Sequence, residues 1–465
     1  MATNTTYTVR QLQRTLYAKA KQAKEVKFYS LYDKVWREDV LWEAWQQVKA
    51  NKGAPGVDGQ SIEAIVVGGQ EGEMISRVHE HLRTETYRFQ PVRRVDIPKP
   101  TGGTRPLGIA TVEDRVVQTA MKLVLEPIFE ADFHPCSYGY RPKRDAKMAS
   151  LAIKEDLYDR AWGVVEIDFQ RYFTTIPHAK LMTLIRQRVV DGSLLRLIKQ
   201  SLKVSVAWQG QVAPTTVGVP QGSPLSPLYS NIYLNLLDQV WHKRGYPEKL
   251  GATLHRYADD AILVCRHSAE QALQAFAAMA TRMSLTLKRD KTRLTTLTEG
   301  FDVLGFHFVK RRSPTSGKSA IDILPSKAAQ CRVRRRIKTF TKRHAPIAPP
   351  AFVQQVNQVV RGWVNSYRHT NASQALRALQ RCINVRFRRY LTCRSKGRGC
   401  GWKRYPNRAL YARGLIYMGS RVIRYEKAPV HARACTLSDR RMRENCAPCH
   451  ARKELPPEVA EVQGR

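Results

Sequence analysis

Leu254-His255-Arg256-Tyr257-Ala258-Asp259-Asp260-Ala261-Ile262-Leu263-Val264-Cys265 is the stretch that decides how this chain is read. Mixed and apolar runs flank a Tyr-Ala-Asp-Asp centre. The pattern predicts strand, tight turn, strand, with the paired carboxylates at the turn. An Asp-Asp dipeptide alone is most often an ordinary turn. Here the apolar strands would hold the pair rigidly at the edge of a buried sheet. Two like charges in that position are costly unless cations offset them.

A partner carboxylate lies upstream. Trp162-Gly-Val-Val-Glu-Ile-Asp168 is a β-rich run ending in Asp168, of the kind that fills a sheet core. A carboxylate at the end of a central strand, facing carboxylates on a hairpin, can hold two Mg²⁺. One ion activates a 3′-hydroxyl and the other braces a departing pyrophosphate. The spacing of 91 residues between Asp168 and Asp259 does not by itself bring them together. Between them, Gly218-Val219-Pro220-Gln221-Gly222-Ser223-Pro224-Leu225-Ser226-Pro227 forms a shaped loop suited to lining a pocket, or a plain strand-to-helix connection. Ser226 and Pro227 make a good N-cap and first-turn pair. Leu228, Ile232, Tyr233 and Leu236 continue as an amphipathic helix.

The chain of 465 residues is too long for one compact core and suggests roughly two to four domains. Apolar residues make up 43%, enough to fold. Lys and Arg number 78 against 39 Asp and Glu, a formal charge of +39 that calls for a polyanion. An anionic membrane is disfavoured, because no apolar run approaches the ~18–20 residues of a spanning helix. Met1–Arg10 is polar and lacks a signal-peptide apolar region. A soluble, cytosolic, nucleic-acid-binding protein is expected. The nine cysteines are scattered, which fits reduced thiols. Cys446-x-x-Cys449-His450 is half of a zinc motif; Cys393 and Cys400 are the candidates to complete it.

Residues 1 to about 50 read as helical, from Leu12, Leu16, Leu31, Val35, Trp42, Trp45 and Val48. Residues 92–97 and 104–109 read as strands around a Pro/Gly-rich loop, and 113–130 as a helix. From Ser326 to Tyr425 there are 24 Lys or Arg and no Asp or Glu. Solvated faces normally mix charge signs. Three helical patterns run through this region: Val333/Ile337/Phe340, Phe352/Val356/Val359/Val360/Trp363/Tyr367 and Leu376/Leu379/Ile383/Phe387. A polyanion-facing helical domain follows, with Arg and Lys meeting phosphates.

Tyr257-Ala-Asp-Asp, the Pro220-Gln221-Gly222 loop and the Asp168 strand, in this order, resemble the palm of reverse transcriptases. The wider set resembles group II intron-encoded reverse transcriptases and maturases. Asn51–Ile62 is similar to their N-terminal extension. Ile97-Pro-Lys99-Pro with Arg105-Pro-Leu-Gly-Ile109 is similar to their fingers, and Ser137-Tyr-Gly-Tyr-Arg141-Pro142 to their second block. Leu287–Leu294 and Phe301–Phe308 are similar to the last palm blocks. The likeness covers about residues 28 to 425 in seven ordered blocks.

The resemblance implies an α+β right-hand polymerase followed by an α-helical thumb and a basic C-terminal domain. The implied boundaries are an N-terminal extension at 1–90, fingers and palm at 91–325, thumb and maturase domain at 326–395, and a basic region with a tail at 396–465. Asp168 and Asp259 would bind Mg²⁺, two ions with Mn²⁺ as substitute, aided by the Phe169 carbonyl. Asp260 would complete the catalytic cluster. Lys99, Arg105, Phe173, Gln221 and Lys291 match nucleotide-binding positions; Phe173 matches the gate against a 2′-hydroxyl. Arg332, Arg334, Arg335, Arg336, Lys338, Arg386, Arg388 and Arg389 are the RNA-binding candidates. Implied partners are structured intron RNA, an RNA template with a DNA primer, dNTPs and a DNA target; a homodimer is left open. Trp402-Lys-Arg-Tyr405-Pro-Asn-Arg-Ala-Leu-Tyr411 reads either as an RNA grip or as a small terminal core.

Two departures stand out. The third block reads Asp168-Phe-Gln-Arg-Tyr-Phe-Thr-Thr-Ile-Pro177, where many relatives carry acidic or glycine-containing versions. The stretch after residue 426 lacks the His-Asn-His endonuclease pattern, so DNA-strand cleavage is not expected. Rival readings are a splicing cofactor with a decayed polymerase, a polymerase domesticated for phage defence or DNA repair, and a basic structural RNA binder.

Overall fold

The N-terminal apolar positions fall on three helices, α1 (Thr5–Gln22), α2 (Tyr32–Val35) and α3 (Glu38–Asn51), except Leu31, which precedes α2. A distant arginine explains the break. Arg188, only 4% exposed, donates to the carbonyls of Ala20, Ala23, Lys24 and Val26. It also pairs with Asp132 at 2.8 Å. Its guanidinium satisfies carbonyls that the last turn of α1 leaves without helical partners. α4 (Ile62–Val67) follows, capped by the Ser61 hydroxyl accepting from the Ala64 amide, and then α5 (Glu71–Arg83).

This computed structural model describes residues 5–98, 102–158, 163–288, 290, 292–312, 317, 319–341, 346–395 and 399–419. β1 (Val92–Pro98) and β2 (Thr104–Ile109) form the predicted hairpin, with Arg93 opposite Ile109 and Pro98 opposite Thr104. The predicted helix is α6 (Val112–Glu130), whose Val116, Val117, Ala120, Leu123, Val124 and Ile128 are all buried. α7 (Ala146–Tyr158), β3 (Gly163–Ile167), α8 (Tyr172–Thr175), α9 (His178–Arg186) and α10 (Gly192–Leu202) come next. Then follow β4 (Val206–Trp208), β5 (Gln211–Ala213), α11 (Ser226–Lys243), α12 (Tyr246–Lys249), β6 (Ala252–Tyr257), β7 (Asp260–Cys265), α13 (Ala269–Arg282) and β8 (Arg293–Thr295).

Two sheets frame the site. One has the order β2-β1-β4-β5, with β4 parallel to β1. The other, β6-β7-β3-β8, is antiparallel throughout. Successive side chains of a strand point to opposite faces. Val165, Ile167, Ala261, Leu263 and Cys265 therefore join a core with α6, α11 and α13. Val164, Ile262 and Val264 join a second core with α7 and the C-terminal elements. Both faces are covered, which is why 261–265 is apolar without alternation.

The second core continues through β9 (Phe301–Val303), β10 (Phe306–Arg312) and β11 (Ser319–Pro325) into α14 (Lys327–Phe340), α15 (Pro349–Tyr367), α16 (Ser373–Arg394) and α17 (Asn407–Ala412). The three apolar stripes expected in the basic region lie on α14, α15 and α16, facing inward. One local expectation fails. Ser226 does not cap α11: Leu225 occupies that place, and the Ser226 hydroxyl donates to the Pro220 carbonyl at 2.5 Å. Leu236, assigned to the apolar face, is 38% exposed. Among the described residues no helix is long and apolar enough to cross a membrane. Cys446, Cys449 and His450 lie outside the described residues.

Candidate active site

β6 and β7 pair from Ala252–Cys265 to Tyr257–Asp260, leaving Ala258 and Asp259 as the whole turn. Ala258 adopts φ 57°, the left-handed conformation such a short turn requires. The 137–141 segment lies directly against it. A Cβ at Gly139 would stand 2.4 Å from the Ala258 nitrogen, so only glycine fits. Beneath the turn sits Arg256, 1% exposed. Its Nε and Nη2 grip Asp238 at 2.6–3.0 Å. Its Nη1 donates to Asn231 Oδ1 at 3.0 Å and to the Ala258 carbonyl at 2.9 Å. Asn231 in turn donates to the Gly139 carbonyl at 2.9 Å. One buried, bidentate ion pair thus ties α11, the turn and the 137–141 segment together.

β3 lies beside β7 with Ile167 opposite Ala261, so Asp168 emerges next to the turn. Burial raises the Asp259 carboxyl above the ordinary carboxylate range. The charge of Asp168 raises it further, while Arg105 and Arg256 partly offset both. Two carboxylates that repel each other in a half-buried setting are a donor set made for a hard cation; oxygen ligands of this type suit Mg²⁺. Backbone geometry adds a third donor. The Lys288 amide donates to the Asp168 carbonyl and the Gln170 amide to the Thr286 carbonyl, both at 2.8 Å, around the Phe169–Leu287 bridge. In an antiparallel ladder this alternation turns the Phe169 carbonyl to the opposite edge, that of β7 and Asp259.

Asp260 stands apart from this pair. It is exposed at the start of β7, and its charge acts on Glu166, whose carboxyl is raised chiefly by burial. The ligand atoms of Asp168, Asp259 and Asp260 do not all gather within 4.8 Å; among the described residues such a group is His134, Cys136 and His242. There the two imidazoles stack face to face at 3.6 Å. Burial, then His242, Arg141, Arg144 and Arg256, push His134 down to about 4. Neighbouring guanidiniums make that cluster a poor host for a cation.

The nucleotide-binding candidates converge from another side. Arg105 Nε donates to Gln221 Oε1 at 2.8 Å, and the Gly108 amide donates to the Gln221 carbonyl at 2.7 Å. Gly222 holds φ +112°, and a Cβ there would meet the Gly108 carbonyl at 2.5 Å. The 218–227 loop is also tied to the gate candidate, since the Val219 amide donates to the Phe173 carbonyl at 2.7 Å. Phe173 itself is half-buried against the core. Arg105, Gln221 and Phe173 are thus linked through one loop, and Arg105 reaches Asp259 electrostatically. Lys99 and Lys291 lie outside the described residues.

Of the basic candidates, Arg332, Arg335, Arg336, Lys338 and Arg389 are exposed, and Arg334 and Arg386 are half-buried. Arg386 donates to Thr341 Oγ1 at 2.8 Å, tying α16 to the end of α14. Arg388 corrects the expectation. It is 1% exposed, its Nε donates to the Tyr405 carbonyl at 2.8 Å, and its Nη2 bonds Asn407 Oδ1. It is an internal strut, because its helix position faces the 402–411 segment and not solvent. That segment is mainly a small terminal core: Asn384 donates to Asn407 and Tyr411, and Leu410 is buried.

Sequence reasoning missed Arg256 with Asp238, and Arg188. The signal was present. Arg256 sits in a strand beside the apolar run 261–265, and Asp238 falls on the buried face of α11 between Leu234, Leu237 and Trp241. Charges at core positions must have partners.

Residues 97–308 match the family described as "Reverse transcriptase (RNA-dependent DNA polymerase)", and residues 331–410 match "Group II intron, maturase-specific domain". Protein YkfC of Escherichia coli is 30% identical over 359 residues, covering 69% of this chain and 94% of that protein. Group II intron-encoded protein LtrA of Lactococcus lactis is 37% identical over 213 residues, 46% of this chain but 35% of LtrA. Maturase-like protein 1 of Euglena gracilis is 27% identical over 221 residues, 46% of this chain and 44% of that protein. With a palm hairpin, an apposed aspartate strand and both family matches in sequence order, the chain belongs to the group II intron-type reverse transcriptase and maturase family.

Proposed function

We propose that this chain is an RNA-directed DNA polymerase that extends a DNA primer on an RNA template with dNTPs, and that it also serves its intron RNA as a splicing maturase with a role in retrohoming to DNA. The observation that carries the polymerase reading is the apposition of Asp168 and Asp259 beside the Arg105–Gln221 pair. Asp168, Asp259 and the Phe169 carbonyl would hold Mg²⁺, two ions with Mn²⁺ as substitute. When bound, such ions supply activation of a 3′-hydroxyl and charge stabilisation for a leaving pyrophosphate.

The chain's own groups do the rest. Arg105 offers a planar cationic fork to the triphosphate, and its bond to Gln221 sets that fork's direction before the nucleotide arrives. Gln221 presents the incoming nucleotide to the turn. Phe173, half-buried and tied by its backbone to the same loop, serves as the gate against a 2′-hydroxyl. Asp260 acts as a supporting charge. Residues 1–90 serve as N-terminal extension, 91–325 as fingers and palm, 326–395 as thumb and maturase domain and 396–465 as a basic region, in a bacterial cytosol. The acid-free run from Ser326 to Tyr425 supports RNA as the thumb's partner.

Primer extension on an RNA template, run beside splicing of the flanking RNA, tests both activities. Wild type is expected to extend and splice, and Asp259→Asn to splice without extending. Equal cDNA from both forms would leave a decayed polymerase that only splices.

A further inference from the structure

Trp402 is 57% exposed, unusual for so large an apolar ring. One face is taken: the Arg388 guanidinium lies 3.7 Å from the ring centroid. That guanidinium is itself immobilised by Tyr405 and Asn407. The ring is therefore backed by a rigid cation. The neighbours differ in kind. Tyr405 and Tyr411 are half-buried, whereas Lys403, Arg404, Arg408 and Arg413 are exposed cations in the same segment. A flat apolar ring in a cationic surround, without an acid from 326 to 425, matches the chemistry of a nucleobase on its phosphate chain.

We propose that the solvent face of Trp402 is a stacking platform for an unpaired base of RNA. The inference rests on the reading of the chain as an RNA-binding maturase and deepens it. Bases inside an A-form duplex are stacked on one another and cannot reach such a ring. The platform therefore selects a loop, bulge or strand end, while nearby Lys and Arg hold phosphates without regard to pairing. Because Arg388 already fixes the ring, little rotamer freedom is lost on binding. Stacking makes no hydrogen-bond demand, so the site tolerates any base.

The probe is a short RNA hairpin carrying 5-iodouridine in its loop, compared with the same hairpin carrying it in the stem. Each is bound to the full-length protein at raised salt to weaken phosphate interactions. Long-wavelength irradiation and peptide mapping are expected to give a cross-link at Trp402 with the loop probe only. Trp402→Ala should weaken hairpin binding roughly 5- to 150-fold and leave a blunt duplex of equal phosphate number within about twofold. Trp402→Phe should keep most of the affinity, and it carries the test if the alanine variant melts early. A bound loop probe without a cross-link at Trp402, equal losses for duplex and hairpin, or a change of oligomeric state in place of affinity would each overturn the proposal. Failure of wild type to bind either RNA would instead overturn the maturase reading beneath it.

Discussion

Arg256 and the α14 cations meet charge in opposite ways. In the palm, the Arg256 guanidinium is enclosed, with Asp238, Asn231 and the Ala258 carbonyl on its donors. On α14, Arg332, Arg335, Arg336 and Lys338 stand in solvent on a stretch that holds no acid from Ser326 to Tyr425. The palm encloses Arg256 among its own partners, whereas Asp168 and Asp259 repel each other at the turn, a pair suited to a cation. The α14 cations find no acid in their own stretch, and the proposed RNA would supply the compensation as polyanion. Buried charge here builds geometry; exposed charge recruits a partner.

That contrast can be broken at either end. The largest effect is expected at the aspartate pair itself. Asp168→Asn or Asp259→Asn should lower single-nucleotide incorporation at least about a thousandfold. Asp259→Asn should not destabilise the metal-free fold, since it removes a like-charge repulsion from a partly buried carboxyl; thermal melting in chelator checks this. Arg256→Met should be worse for folding than for chemistry. It strands Asp238, 0% exposed, as an unpaired buried charge, and a loss of about 3–5 kcal/mol is expected in denaturant unfolding. Adding Asp238→Leu should recover part of that loss; a double variant as unstable as the single one would show that the pair matters only for shape.

Gly222→Ala is expected to cost about 1–3 kcal/mol locally, because its Cβ would meet the Gly108 carbonyl at 2.5 Å with φ +112°. A raised KM for dNTP with RNA affinity unchanged is its signature. The smallest effect on folding belongs to the thumb. Alanine at Arg332, Arg335, Arg336 and Lys338 should shift stability by no more than about 0.5 kcal/mol each. Removing a cation that neutralises one phosphate should flatten the slope of log affinity against log salt by about 0.7–0.9. An unchanged slope would remove these four from the RNA surface.

What was legible in the sequence is what local pattern encodes. The 254–265 hairpin, the 92–109 hairpin and the three stripes of α14, α15 and α16 follow from periodicities within one element. What was not legible depends on residues far along the chain. The N-terminal helix breaks because Arg188 claims its carbonyls from more than 160 residues away. Ser226 fails as a cap for a local reason: the helix begins at Ser226 itself, and its hydroxyl donates to the Pro220 carbonyl instead. Arg388 looked like one more member of a basic run, yet its place on α16 faces the 402–411 segment. Composition counts a charge but does not say whether the fold encloses it. In the site, the Asp168, Asp259 and Gln221 motifs were visible. The Arg256 clamp beneath them was missed, because its signal is a pair of charges at core positions and not a motif.

The central proposal is that Asp168 and Asp259 form the cation site of the palm. It is tested most directly by titrating Mn²⁺ into the full-length protein with template–primer and dNTP, reading free Mn²⁺ by electron paramagnetic resonance. Two bound ions are predicted for wild type, and a loss of binding for Asp259→Asn at unchanged template–primer affinity. Equal Mn²⁺ binding by the two proteins would contradict the account.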